Sequence, residues 1–300
     1  MAYRYFSEIM EKIQGRTGVK RMAVAAAADQ HTLEAALRAR DEGFVSLALI
    51  GDKNKVLSIL YQIGACVDMS DIIDEPEAEK AAYRAVELVR RGEADFLMKG
   101  MLDTNLFLKA VVNKENGLGG GGVMSHFTIY EIPGYHKLLI PVDGGMVTYP
   151  TLEQKKAIIE NTVSVYRRMG CAVPKVGVLA CIEKVNPHMP ETVEASALME
   201  MNKQGIIKNC IVEGPISYDC AVNREIAELK GYKSNVAGDV DILLAPNIHS
   251  GNIMGKMLLC TCGAKLAGFI AGARCPIVMT SRGSSADEKF MSIILSAAVV

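Results

Sequence analysis

Short runs of consecutive apolar residues constrain this chain more than any other feature. Met22–Ala28, Val45–Ile50, Phe96–Met98, Leu138–Val142, Val176–Ile182, Cys210–Glu213, Ile242–Ala245 and Ile277–Thr280 read as strands. They do not alternate apolar with polar residues, so both faces of each strand must be covered, as in parallel sheets flanked by helices. Helical patterns lie between them. One begins at Pro76 and carries Ala82, Val86 and Val89 to Gly92. Another opens on the capping box Thr151-Leu-Glu-Gln154, continues through Ile159, Val163 and Tyr166, and closes at Gly170. Repeated strand–helix units predict an α/β fold with mainly parallel sheets.

A chain of 300 residues, half of them hydrophobic, suffices for two domains with sizeable cores. The one compositional break is Gly117-Leu-Gly-Gly-Gly-Gly122, read as a flexible loop with a domain crossing after it. A return near Gly268–Gly272 gives expected domains of 1–136 with 268–300, and 137–267. The net charge of −1 offers no electrostatic case for a nucleic-acid partner. No apolar window of about 18 residues suggests a membrane span. The N-terminal stretch with Arg4, Glu8, Glu11 and Lys12 reads as an amphipathic surface helix, not a signal peptide. The eight cysteines sit mostly among apolar neighbours, as buried, reduced thiols of a cytoplasmic protein do. Cys260-Thr-Cys262 lacks a second ligand pair, and no His or carboxylate cluster has metal spacing, so no metal is expected.

In open α/β sheets, ligands collect beyond the carboxyl ends of the strands. Here those ends read Lys99-Gly100, Asp143-Gly144-Gly145, Glu213-Gly214-Pro215, Pro246-Asn247 and Ser281-Arg282-Gly283. The last is the richest. Arg282, at a strand end beside the positive end of a helix, suits a phosphate. Ser285 opens that helix with Glu288 as its capping-box partner, which leaves Asp287 the favoured base and Glu288 the alternative. Lys99 and Thr104 supply a point charge and a hydroxyl for an anion. Asn247, Ser250, Gly251 and Asn252 either bind a ligand through amides or form an ordinary turn and N-cap. His126 and His249 fall in candidate loops. Gly117-x-Gly-x-x-Gly122 is preceded by a helical pattern rather than a strand, which argues against a dinucleotide fingerprint and for a mobile loop. Gly251-Asn-Ile-Met-Gly-Lys256 falls one residue short of a P-loop and lacks its Ser or Thr.

Read together, a set of short motifs resembles the phosphate acetyl- and butyryltransferase family, nearest its butyryl-type members. The motifs are Ala23-Val-Ala, Leu49-Ile-Gly-Asp52, Met98-Lys-Gly, Thr104, Met124-Ser-His126, Thr148-Tyr-Pro150, Asn186-Pro-His-Met-Pro190, Val212-Glu-Gly-Pro215, Val236-Ala-Gly238, Ala245-Pro-Asn247, Gly251-Asn252 and Thr280-Ser-Arg282. The resemblance implies two α/β domains with a cleft, as in isocitrate and isopropylmalate dehydrogenases. It implies a homodimer or larger homo-oligomer that moves a short or branched acyl group between coenzyme A and inorganic phosphate. Coenzyme A would be a substrate, with no tightly bound cofactor and no metal. Asp287 or Glu288 would exchange the sulfur proton, with Ser281 and Arg282 at the reacting centre. Lys99, Thr104, Ser125, His126 and Arg282 would hold phosphate or substrate, and Asn247, Gly251 and Asn252 coenzyme A. Two departures stand out. Gly119 occupies a position where butyryl-type members usually carry a basic residue, and Gly144-Gly145 replaces bulkier residues. The alternatives are an altered paralogue or coenzyme A-binding subunit on the same fold, and a metal-dependent hydroxyacid dehydrogenase.

Overall fold

The computed structural model describes residues 3–14, 18–281 and 283–300. In chain order it opens with α1 (Phe6–Ile13), β1 (Lys20–Ala25), α2 (Gln30–Asp41), β2 (Val45–Gly51), α3 (Lys53–Gln62), β3 (Ile72–Asp74), α4 (Ala78–Arg90), β4 (Phe96–Lys99) and α5 (Thr104–Val111). It continues through β5 (Ser125–Glu131), β6 (Ile140–Val142), α6 (Leu152–Arg168), β7 (Lys175–Leu179), α7 (Pro190–Lys203), β8 (Ile211–Ile216), α8 (Tyr218–Val222), α9 (Arg224–Leu229), β9 (Ile242–Leu244) and α10 (Ile248–Thr261). It closes with β10 (Lys265–Ala271), β11 (Ile277–Val278) and α11 (Ala286–Ala298). All eight expected strand runs contain a strand. Three strands were not foreseen: β3, β5 and β10.

The chain divides into two compact units. The middle unit is Val123–Leu266 together with the N-terminal residues through Phe6, and the split unit is Ser7–Gly122 with Ala267–Val300. The first crossing therefore comes directly after the glycine run, earlier than the 136/137 boundary expected from composition. Tyr3 and Phe6 join the middle unit through backbone bonds. The Leu138 N–H donates to the Tyr3 carbonyl, and the Phe6 N–H to Glu131 at 2.8 Å.

In the split unit the strand order is β3-β2-β1-β4-β11-β10, parallel except for the antiparallel β10–β11 pair. Met22 through Ala25 and Leu47 through Ile50 are fully buried, residue after residue, which is why these strands read as unbroken apolar runs. On one side α11 packs against α2. Phe290 meets Phe44 edge-on, and the buried Lys289 reaches Asp29, the N-cap of α2, at 3.6 Å and Thr32 Oγ at 3.2 Å. Burial pushes the Asp29 carboxyl up, but hydrogen bonds from Thr32 and the Lys289 charge outweigh it and hold the group below its ordinary value. Ser292 and Ser296 sit mid-helix and bond back to the carbonyls of Glu288 and Ser292, satisfying buried hydroxyls without leaving the helix.

The middle unit contains the all-parallel order β6-β9-β7-β8. Its longest helix, α6, starts at the expected capping box, with Thr151 and Gln154 bonding each other's backbone N–H. Gly170 follows its end at φ +107, a conformation that favours glycine. Buried Lys137 is held by Asp239 at 2.9 Å, near the amino ends of β6 and β9.

Candidate active site

In the split unit, parallel register brings several expected residues to one sheet edge. Ala25 pairs with Lys99, and Met98 pairs with Val278, so β1, β4 and β11 all end there. Lys99 is only 7 % exposed, with its Nζ 3.3 Å from the Gly100 carbonyl. The turn after it is pinned backbone to backbone. The N–H groups of Gly100 and Met101 donate to the carbonyls of Ala25 and Ala26, each at 2.8 Å. A Cβ on Gly100 would lie 2.3 Å from the Ala26 oxygen, so no other residue fits. Ala26 itself sits at φ +55, a conformation unfavourable for any residue but glycine. Thr104 is exposed in the first turn of α5, which is capped by Asp103.

Arg282 lies outside the described residues. Its neighbour Ser281 is exposed; the Ser281 carbonyl accepts from the Ser284 N–H at 3.1 Å, and its Oγ lies 3.4 Å from the Gly283 N–H that donates to it. Ser285 caps α11 by accepting from the Glu288 N–H at 3.1 Å. The two acids then part company. Asp287 is 85 % exposed at its side chain and paired with Arg38 at 2.8 Å. The same guanidinium takes Glu42 and stacks 3.8 Å from the Phe290 ring centre. Glu288, by contrast, is partly buried.

The glycine run is not the free loop expected from its composition. Leu118 is fully buried and its N–H donates to the Val111 carbonyl. The Arg274 N–H donates to the Leu118 carbonyl, and Gly119 bridges Ala273. Gly117 is there for space, since a Cβ would lie 2.4 Å from the Asn113 oxygen.

In the middle unit the organising group is Asp143, which the sequence reading passed over as part of a strand end. It is 2 % exposed. One carboxylate oxygen accepts from the N–H groups of Gly145 and Met146 at 2.7 and 2.9 Å, the other from His126 and Val147 at 3.2 Å each. His126 is thus on strand β5, not in a loop, and His249 is in helix α10, where its Nε2 meets the Tyr149 hydroxyl at 3.0 Å. Burial pushes the His126 imidazole below its ordinary value, with Asp143 pulling the other way. A Cβ on Gly145 would lie 2.5 Å from His126 Nδ1, so the glycine makes room for the ring. Ser125 is 1 % exposed, and its Oγ accepts from the Asn161 amide at 3.1 Å.

Gly251, read as either a ligand contact or part of an ordinary turn and N-cap, lies inside helix α10, as does Gly255. A Cβ on Gly251 would lie 2.4 Å from the Asp143 carbonyl, and one on Gly255 2.4 Å from the Tyr130 hydroxyl. They let α10 lie against the end of β6 and against β5. Asn247 is the N-cap of α10, accepting from the Ser250 N–H at 3.1 Å, and the Asn252 amide donates to the Gly144 carbonyl at 3.0 Å. His126, Asp143, Gly251 and Asn252 therefore form one connected corner.

Beyond the ends of β7, β8 and β9 lies a cavity of about 690 Å³. Leu179, Met189, Tyr218, Met254 and Met257 give it an apolar wall, while Asn247 and Ser250 form a polar edge. A stripe on α10 at helical spacing (Ser250, Met254, Met257) was the available sequence signal for it. Cys181 and Cys262 also line it and are exposed, as are Cys66 and Cys260, whereas Cys171, Cys210, Cys220 and Cys275 are buried. The expectation of buried thiols thus holds for half of the eight. Among the described residues one cluster has metal-type ligands: Glu183, Asp219 and Cys220. The Lys230 ammonium lies 2.9 Å from both carboxylates and supplies the positive charge there. Bonds from Ser217 and Lys230 hold the Asp219 carboxyl down at about 2.

Comparison with known proteins converges on one chemistry. Residues 71–297 match the family described as phosphate acetyl/butaryl transferase. The chain is 42 % identical to a phosphate butyryltransferase of Clostridium acetobutylicum, over 98 % of this chain and 97 % of that protein. It is also 42 % identical to a phosphate acetyltransferase of Thermotoga maritima, over 98 % and 99 % of the two chains. Among solved structures, a branched-chain phosphotransacylase from Enterococcus faecalis V583 superposes with a TM-score of 0.82 at 29 % identity, covering 94 % of this chain and 99 % of that one.

Proposed function

Because the chain belongs to the phosphate acetyl/butaryl transferase family, we infer that it transfers a short or branched acyl group between coenzyme A and inorganic phosphate. The observation that carries this reading is the 42 % identity to a phosphate butyryltransferase across nearly the whole of both chains. In one direction a phosphate oxygen attacks the thioester carbonyl, the carbon–sulfur bond breaks, and the leaving thiolate takes a proton. In the other, the coenzyme A thiol gives up that proton, the sulfur attacks the carbonyl carbon of the acyl phosphate, and the carbon–oxygen bond breaks to release inorganic phosphate. A thiol of ordinary pKa, about 8.5, is only a few per cent ionised at neutral pH, so a positioned base accelerates this step.

Glu288 is the better base by its surroundings. Asp287 already pairs with Arg38 at the surface, while Glu288 is partly buried in the first turn of α11. Arg282 and Ser281 serve the phosphate and the developing oxyanion, with Lys99 and Thr104 adding charge and a hydroxyl. His126 and Asn252 contact substrate from the Asp143 corner, Ser125 and Gly251 shape that corner, and Asn247 lies toward coenzyme A. No metal and no tightly bound cofactor enters the scheme. None of the described helices is long and apolar enough to cross a membrane, and we read the protein as cytoplasmic and homo-oligomeric, on an isocitrate dehydrogenase-like fold.

The test is phosphate-dependent release of coenzyme A from butyryl-coenzyme A and a panel of other acyl esters. No release with any ester rejects the reading. Glu288→Gln is expected to lower kcat by about 10²–10⁴-fold, and Asp287→Asn to change it only a few-fold; the reverse ranking returns the role to Asp287. A second reading, coenzyme A binding without turnover, is favoured by Gly119. A Cβ there meets nothing within 4 Å, so Gly119→Lys restores a basic residue without a clash. Turnover that appears only in that variant would establish the second reading.

A further inference from the structure

The middle unit carries a second, polar groove of about 750 Å³, formed by the end of α6 and the loops that lead into β7 and β8. We propose that it binds a nucleoside di- or triphosphate, a ligand separate from the substrates of acyl transfer. The proposal does not depend on the acyl-transfer reading.

Charge is the first argument. Arg167, Arg168 and Lys208 line the groove against one acid, Glu160, and Glu160 is already paired with Lys156 at 3.1 Å. Among the described residues, no carboxylate pairs with Arg167 or Lys208. The Arg167 Nε donates to the Ala172 carbonyl at 3.1 Å, which fixes the guanidinium and leaves its terminal N–H groups for an anion. Cations at the end of a helix often answer its dipole. Here the end of α6 is otherwise satisfied. The carbonyls of Val165, Tyr166 and Arg167 accept from the N–H groups of Met169, Cys171 and Gly170, and that of Met169 from the Tyr3 hydroxyl. Lys208 lies beyond α7 altogether.

Rigidity is the second. The Asn202 amide donates to the carbonyls of Ile207 and Cys210, each at 3.0 Å, and its oxygen accepts from the Val212 N–H at 3.0 Å. The loop that carries Lys208 and Asn209 is therefore held in place, with Asn209 at φ +64. Size and place complete the case. The volume falls within the range of small-molecule sites, roughly 300–1,000 Å³, and a single phosphate would leave most of it unfilled. Ile206, 49 % exposed, and Val163 offer an apolar edge for a base or sugar. The groove lies at the amino ends of β7 and β8, and a strand of five or six residues, about 16–20 Å, separates that edge of the sheet from its carboxyl ends.

The test is equilibrium dialysis of the full chain against ATP, ADP, pyrophosphate and inorganic phosphate, with coenzyme A saturating so that the adenine of ATP does not report that substrate's own site. Affinity should fall in that order. Arg167→Ala combined with Lys208→Ala should weaken ATP by about tenfold or more, the loss expected from charge-assisted hydrogen bonds. Ser164→Glu, which adds a negative charge to the groove and keeps both cations, should do the same. All three positions are exposed, so the core is spared, and Lys114→Ala in the other unit should change nothing. No ATP binding up to millimolar concentration overturns the proposal. So does ATP binding that both groove variants leave intact, since the nucleotide then sits elsewhere. Pyrophosphate bound as tightly as ATP shows no recognition of a nucleoside and overturns it too. Equal weakening of coenzyme A by the groove variants would assign the groove to the substrate and likewise overturn it. None of these readouts needs turnover, so failure of the acyl-transfer reading leaves the test standing.

Discussion

At the end of β6 a buried carboxylate does the organising, whereas at the ends of β1 and β4 backbone touches backbone. Asp143 gathers four N–H groups around one side chain. In the split unit, Gly100 and Met101 hydrogen-bond to Ala25 and Ala26 with no side chain between them. Both devices hold a strand end rigid, but they fail differently. The carboxylate concentrates the whole arrangement in one residue and is satisfied within the fold. The backbone contact spreads it over two crossing segments.

Removing the carboxylate should therefore have the largest effect. Asp143→Ala strands four N–H donors, some with access to water, at about 1–3 kcal/mol for each one left buried. A loss of about 4 kcal/mol in urea unfolding is expected. A loss below about 1 kcal/mol would mean that water replaces the carboxylate easily and that the corner is not rigid. Gly100→Ala is the matching change in the split unit. Its Cβ would meet the Ala26 oxygen at 2.3 Å, and the neighbouring atoms are backbone, so strain of about 3 kcal/mol is expected, with a drop in Tm. If Gly100→Ala is tolerated, the two segments are less closely held than the contact implies and the contrast weakens.

These two positions also mark what the sequence could and could not tell. Strands β1, β2, β4 and β9 were legible because burial on both faces leaves unbroken apolar runs. Strand β5 was not, because Ser125, His126 and Thr128 break its run with polar side chains, and the Ser125 and Thr128 hydroxyls find their partners, Asn161 and the Pro141 carbonyl, only at a distance in sequence. Helix α10 was not foreseen to run through Gly251, which was left as a ligand contact or a turn, since glycine signals a turn unless a neighbouring backbone needs the space. At the candidate site, the residue types at the strand ends were visible and their roles were not. Nothing local in Asp143-Gly-Gly announces a carboxylate with four donors, and nothing in Ala-Asp-Glu288 reveals that Arg38, far earlier in the chain, takes the first of the two acids.

A smaller effect tests how Asp143 and His126 share their corner. Gly145→Ala places a methyl group 2.5 Å from His126 Nδ1, but the ring can turn aside, so about 1 kcal/mol is expected. Adding His126→Ala removes the clash, and a double-mutant cycle should return most of that loss. The imidazole also carries a pH signature. Its folded pKa is depressed by burial, so its contribution is fully present above the ordinary value of about 6.5 and is lost as pH falls through that value toward the folded one. His126→Ala should flatten stability on this acid side. An unchanged slope would place the ring in water.

The smallest change has the opposite sign. Ala26 holds φ +55, and a left-handed alanine costs about 1–2 kcal/mol relative to an ordinary conformation, a penalty glycine escapes. Ala26→Gly also loosens the unfolded chain, which removes about 0.5–1 kcal/mol of that advantage. The net result should be a slight stabilisation, under about 1 kcal/mol, together with a poorer site. The Ala26 carbonyl accepts from Met101, two residues beyond Lys99, so freedom at position 26 passes into the turn that carries the lysine. The expected pattern is a higher Tm with a raised KM for phosphate and little change in KM for the acyl ester. Strain retained at a position that glycine would relieve makes sense only if rigidity at Lys99 matters more than stability. A variant that is more stable and binds phosphate as before would show that the backbone contact fixes the fold and not the anion. The difference between the two strand ends would then be architectural.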